Sequence, residues 1–168
     1  YAAAHHGLDV EAYRATFALL IATWTVEQHH EEKSPYRYPE LPREGRGTRV
    51  GYTGLTWSGF RPSDDPCTYG YHIPGNLFAA GVLKQTAPLF GGALEVRARK
   101  LRGDILDGVR AHGTWTGGGK TRYCYEVDGL GGCHKMDDAN VPSLLGIPYL
   151  DVSGDAYDRT IWENTYAW

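Results

Sequence analysis

Cysteine is scarce in this chain: Cys67, Cys124 and Cys133 are the only three in 168 residues. They form neither a CxxC pair nor an even count, which argues against a disulfide framework and predicts free buried thiols in a reducing compartment. An excess of charge of one sign is lacking too. Seventeen Lys and Arg stand against twenty Asp and Glu, for a formal net charge of −3, and no basic patch marks a nucleic-acid partner. No apolar run approaches the roughly 20 residues needed to span a bilayer, so no membrane partner is expected. The absence of a secretory leader decides little, because the chain opens at Tyr1 without methionine and is read as part of a longer protein, expected in the bacterial cytoplasm with secretion as the alternative. Phenylalanine is rare, with 4 residues, whereas there are 12 Tyr and 5 Trp. Those rings join a flat apolar face to a polar handle, which suits either a cleft for polar ligands or a core.

The pattern that is present is mainly helical. Asp9 to Glu32 reads as one amphipathic helix, capped by Asp9, with Val10, Tyr13, Phe17, Leu20, Ile21 and Trp24 on one stripe. Its polar end, Glu27-Gln28-His29-His30-Glu31-Glu32, lacks the spacing of a metal motif and reads as solvated helix, with no metal or other cofactor implied. Lys33 to Tyr52, with Pro35, Pro39 and Pro42, reads as an ordered functional loop. Asn76 is expected to cap a buried helix to about Ala87, and Ala93 to His112 forms a second helix stopped by Gly113. Thr114–Thr116, a Gly117-Gly118-Gly119 turn and Thr121–Val127 predict a small β-hairpin; the glycines lack the lysine-serine ending of a phosphate loop. Asn140 is expected to cap a short helix and Asp155 a last one, which runs to Trp168. Helices joined by long loops suit an array of helical hairpins in layers. That array is incomplete over residues 1–168, which read as one unfinished domain.

The chemistry concentrates in Thr53–Cys67, where Gly54, Gly59, Pro62 and Pro66 keep Trp57, Arg61, Asp64 and Asp65 on a loop. Adjacent carboxylates interact, so one binds a proton more readily, and a carboxylic acid can protonate a leaving-group oxygen as glycoside cleavage requires. Arg61 is expected to pair with one of the two, while Pro66 makes their side chains diverge. The alternative is a plain capped turn. A second acidic set, Glu126, Asp128, Asp137, Asp138 and Asn140, is expected on the same cleft; helix capping is its alternative, and the EF-hand spacing of a calcium site is absent. Aromatic platforms beside paired carboxylates suit sugars.

Trp24, Glu27-Gln28, Ser34–Tyr38, Thr53–Asp65, Tyr69-Gly70-Tyr71, Ile73-Pro74, Tyr125–Gly129 and Met136–Leu145 follow one another in an order that closely resembles the bacterial branch of glycoside hydrolase family 125, the metal-independent exo-α-1,6-mannosidases. The resemblance spans nearly the whole chain. It implies an (α/α)6 barrel with an end pocket for a terminal mannose, and α-1,6-mannosides or N-glycan-derived mannose oligosaccharides as partners. It also implies an inverting reaction without cofactor. Asp64 or Asp65 is then the expected general acid, with Trp57, Arg61, Glu126, Asp128, Asp137, Asp138 and Asn140 binding substrate. The general base would be a glutamate outside this chain, which alone would be inactive. Pro66, Gly132, Cys133 and Lys135 depart from the family's usual residues. A mannoside-binding protein without the base, and a purely structural helical domain, are the competing readings.

Overall fold

The computed structural model describes residues 9–151 and 154–168. The Asp9 carboxylate accepts from the N–H groups of Glu11 (3.1 Å) and Ala12 (3.4 Å), capping a 3₁₀ turn at Val10–Tyr13 that feeds helix α1, Arg14–Glu27. The expected single helix to Glu32 breaks at His29, and only one further turn, His30–Lys33, follows. The reason is burial. The His30 ring bonds the Glu27 carboxylate at 2.6 Å and the Arg46 carbonyl at 2.8 Å, and stacks on Trp57 at 3.7 Å. The polar helix end expected in solvent is therefore an anchor in the interior.

Strand β1, Tyr71–His72, runs directly into helix α2, Ile73–Phe90. His72, not Asn76, is the cap: its Nδ1 accepts from the Gly75 N–H at 3.1 Å. Asn76 lies one turn inside the helix and stitches the loop to it, accepting from Thr56 N–H (2.9 Å) and donating to Thr56 O (3.1 Å). Gly91, at φ +62, turns the chain into helix α3, Gly92–His112, which packs antiparallel on α2. Leu77, Ala80, Leu83 and Ala87 face Leu94, Ala98, Leu101, Ile105 and Val109 in the shared core. Gly113 ends α3 as expected.

The hairpin forms as β2, Thr114–Gly117, against β3, Lys120–Tyr123. Its second strand stops short of Val127, because Glu126–Val127 leave as β4 and lie between β1 and β5, Cys133–His134, in a second antiparallel sheet. That pairing sets Val127 opposite Cys133 and brings the two ends of the turn together. Cys124 and Cys133 are consequently joined in a disulfide, which corrects the expectation of three free thiols and removes its argument for a reducing compartment. Cys67 is free and buried. Helix α4, Arg159–Tyr166, is capped by Asp158, whose carboxylate accepts from Ile161 N–H at 3.0 Å. The expected cap Asp155 instead pairs with Lys84 (2.8 Å) and Arg102 (2.6 Å). Asn140 caps no helix; it donates to Asp138, and the next helical turn, Ile147–Leu150, begins after Gly146. Among the described residues no helix is long and apolar enough to cross a membrane.

Candidate functional site

The loop after α1 is pressed onto the helices by glycines. Gly54, at φ +83, has room for no side chain: a Cβ there would stand 2.6 Å from the Asp104 carbonyl of α3. Its own carbonyl accepts from the Gln28 side chain at 2.6 Å. Trp57 is a core ring, 8% exposed, stacked on His30, and a Cβ at Gly70 would meet its Nε1 at 2.1 Å. It also lines a cavity of about 350 Å³ with Trp24, Thr56, Phe60, Arg61, His72 and Pro142.

Arg61 to Asp65 form a tight turn, with Arg61 N–H donating to Asp65 O (2.8 Å) and Asp64 N–H to Arg61 O (3.1 Å). Asp64 takes φ +66, a left-handed geometry that aspartate tolerates better than most residues. Asp64 and Asp65 stand exposed at the tip, and Asp65 accepts from Ser63 Oγ at 3.2 Å. Neither pairs with Arg61. The guanidinium turns inward and donates from Nε to Glu126 Oε1 at 2.6 Å, with Nη2 on Thr68 Oγ1 at 3.1 Å. Glu126 is fully buried in the middle strand of the small sheet, where its other oxygen accepts from Tyr69 N–H at 2.9 Å and lies 3.5 Å from His134 Nδ1. Burial works against the Glu126 charge, but Arg61 and the Tyr69 N–H outweigh it and hold the carboxyl below the usual carboxylate range. The pair is thus ionised at neutral pH, a fixed wall of the site.

The remaining acids divide by what holds them. Asp137 spends both oxygens on backbone, accepting from Leu144 N–H (2.8 Å) and Leu145 N–H (3.0 Å). Asp138 accepts from Asn140 N–H (2.9 Å) and Nδ2 (3.0 Å) on one oxygen. Asn140 chiefly holds its carboxyl below the ordinary range, with smaller help from the nearby Ser63 hydroxyl and the Arg61 charge. Asp128 is half-buried and accepts from Leu130 N–H (2.7 Å) and Gly132 N–H (2.8 Å), both on Oδ1. A Cβ at Gly132 would stand 2.6 Å from Asp128 Oδ2 and 2.8 Å from the Tyr69 ring, so a glycine leaves that oxygen and that ring side by side.

Arg61, Glu126 and Asp138 therefore meet on one face, with Asp128 beside Tyr69 at its edge, while Asp137 and Asn140 brace their own loop. Tyr69, His72 and His134 belong to the same region; Tyr69 falls in the Tyr69-Gly70-Tyr71 motif, which does not mark it as a site residue, and His72 and His134 carry no periodicity or motif that marks them in sequence. His72 is 4% exposed, borders the cavity and sits edge-on to Tyr125 at 4.7 Å.

The sequence pattern of the metal-independent α-mannosidases matches residues 9–168. A solved metal-independent α-mannosidase from Streptococcus pneumoniae, in a non-productive complex with α-1,6-mannobiose, superposes with a TM-score of 0.83 at 37% identity over 94% of this chain. The chain spans 40% of that protein. The meiotically up-regulated gene 157 protein of Schizosaccharomyces pombe is 41% identical over 113 residues, 63% of this chain and 22% of that protein. The match over nearly the whole chain, in sequence and in structure, makes this chain a member of glycoside hydrolase family 125, the metal-independent α-mannosidases.

Proposed function

We propose that this chain is part of an (α/α)6 barrel that removes terminal α-1,6-linked mannose with inversion of configuration. The α2–α3 hairpin supplies one pair of the barrel's helices, and the face built on Arg61 and Glu126 supplies part of its sugar pocket. An aspartate of this segment is the general acid, and a carboxylate from beyond it is the base. In inverting glycosidases the two stand ~6.5–9.5 Å apart, leaving room for the attacking water. The likeness to a protein that holds α-1,6-mannobiose supports the substrate class.

The observation that carries the assignment is how each carboxylate is held. A general acid must be oriented and still present one oxygen to the glycosidic oxygen. Asp137 has both oxygens engaged, whereas Asp64 and Asp65 stand on the turn whose first residues, Arg61 and Pro62, line the cavity, and Asp65 is held through one oxygen only. Asp128 is anchored through Oδ1, and its Oδ2 lies beside Tyr69. Asp64 or Asp65 is thus the proposed acid, with Asp128, which also keeps one oxygen, as the rival donor, Arg61 and Asp138 as hydroxyl-binding groups and Glu126 as the support of Arg61.

The test uses the longer protein with Asp128→Asn, Asp64→Asn and Asp65→Asn, since asparagine keeps an acceptor oxygen for the backbone. Asp64→Asn or Asp65→Asn should lower turnover of α-1,6-mannobiose by about 10²–10⁴-fold, the usual worth of a positioned acid. An aryl mannoside with a good leaving group should suffer far less. A loss confined to Asp128→Asn would move the acid to the loop between β4 and β5. Binding of mannobiose with no hydrolysis by the unsubstituted protein would favour a mannoside-binding protein instead.

A further inference from the structure

Glu126 is buried, and the groups it holds face the site. Its carboxylate accepts from Arg61 Nε at 2.6 Å and from Tyr69 N–H at 2.9 Å, and it lies 3.5 Å from His134 Nδ1. Strand register puts His134 there: it pairs directly opposite Glu126 in β4–β5, so the two side chains share one face of the sheet. The His134 carbonyl accepts from Tyr125 N–H at 2.8 Å, which seats its backbone. Arg61 Nη2 meets the same Nδ1 at 3.4 Å. A guanidinium can only donate, and Glu126 already has Arg61 and Tyr69 as donors. Nδ1 is therefore the acceptor, and the ring proton sits on Nε2. Among the described residues nothing bonds that Nε2, and 34% of the His134 side chain is exposed, against 12% for Arg61.

Tyr69 stands beside His134, with 6.2 Å between ring centroids and 77° between planes, so an aromatic ring and an N–H donor make a corner. A pyranose fits such a corner, its C–H face packed on the ring and a hydroxyl on the donor. Neither residue lines the cavity that Arg61 borders. The enclosed space suits a terminal mannose; the open corner suits the sugar to which it is attached, which must continue outward. We propose that His134 is a specificity-determining residue whose Nε2–H holds a hydroxyl of the sugar on the leaving side of the scissile bond, packed against Tyr69. The inference rests on the reading of this chain as part of a mannosidase and is independent of which aspartate is the acid.

The experiment uses the longer protein with His134→Asn and His134→Gln. Asparagine puts a polar atom where Nδ1 stands and none where Nε2 stands, whereas glutamine carries an N–H outward to the Nε2 position. On α-1,6-mannobiose His134→Asn should lower kcat/KM roughly 3- to 10-fold, the worth of one neutral hydrogen bond. The loss should fall mostly on KM, and His134→Gln should recover most of it. An aryl mannoside has no sugar on the leaving side and should lose far less. Equal losses on both substrates would overturn the proposal, because the missing contact would not lie on the leaving side. So would full activity of His134→Asn on mannobiose, or no advantage of glutamine over asparagine. If the unsubstituted protein binds mannobiose without cleaving it, titration calorimetry replaces kinetics. Weaker binding by His134→Asn than by His134→Gln would then refute the mannosidase reading and leave the contact standing. A protein that neither binds nor cleaves mannobiose would overturn both.

Discussion

Arg61 and Glu126 show how one residue's partner decides its role. Read along the chain, Arg61 has two carboxylates as close neighbours, and pairing with one of them is the economical expectation. The turn forbids it: Arg61 and Asp65 are joined through backbone, and Asp64 and Asp65 project outward. The guanidinium crosses instead to a glutamate 65 positions away in sequence, which no local pattern encodes. Removing one member of a buried pair leaves the other charge uncompensated, so Arg61→Met should destabilise the protein by about 3–5 kcal/mol, read as a lower urea midpoint. His72 makes a second prediction at this scale. Burial depresses its pKa from 6.5 to about 4, so the folded protein keeps it neutral while the unfolded chain takes up a proton. The stability this represents is fully present above pH 6.5 and is lost as pH falls from 6.5 towards 4. His72→Asn keeps an acceptor for the Gly75 N–H but cannot titrate. Melting temperature against pH should therefore fall less steeply for the variant over that window; parallel curves would remove His72 as the cause.

At the scale of elements, helices α2 and α3 and the β2–β3 hairpin are legible in the sequence, because apolar spacing and glycine placement are local signals. Their ends are less so. Asn76 has the chemistry of a cap, but the helix starts earlier at Ile73, since His72 supplies the acceptor and Asn76 is drawn into the loop contact with Thr56. The disulfide is invisible for a related reason: two cysteines nine positions apart meet only because β4 and β5 pair. Glycine positions separate into two kinds by what surrounds them. Gly54→Ala combines φ +83 with a Cβ 2.6 Å from a helix carbonyl, and should cost ~2 kcal/mol or more. Gly118, at φ +59 in the hairpin turn, has open space around it, and Gly118→Asn should stay within about 0.5 kcal/mol of the parent. Chemical denaturation of the two variants checks both; equal effects would mean that crowding at Asp104 does not govern Gly54.

At the scale of the molecule, the family was readable from ordered motifs, whereas the arrangement of its acids was not. Eight polar candidates lie between Arg61 and Asn140, and only the family resemblance sets Asp64 and Asp65 apart from the rest. In the structure Asp137 and Asn140 brace a loop, Glu126 supports an arginine, and Asp128 and Asp138 are each held through a single oxygen. We propose that this face belongs to an inverting α-1,6-mannosidase. The most direct measurement is proton NMR of the anomeric signals as the longer protein acts on α-1,6-mannobiose. Mannose released from the non-reducing end should appear first as the β anomer and then mutarotate. First appearance of the α anomer, or no release of mannose at all, would contradict the account.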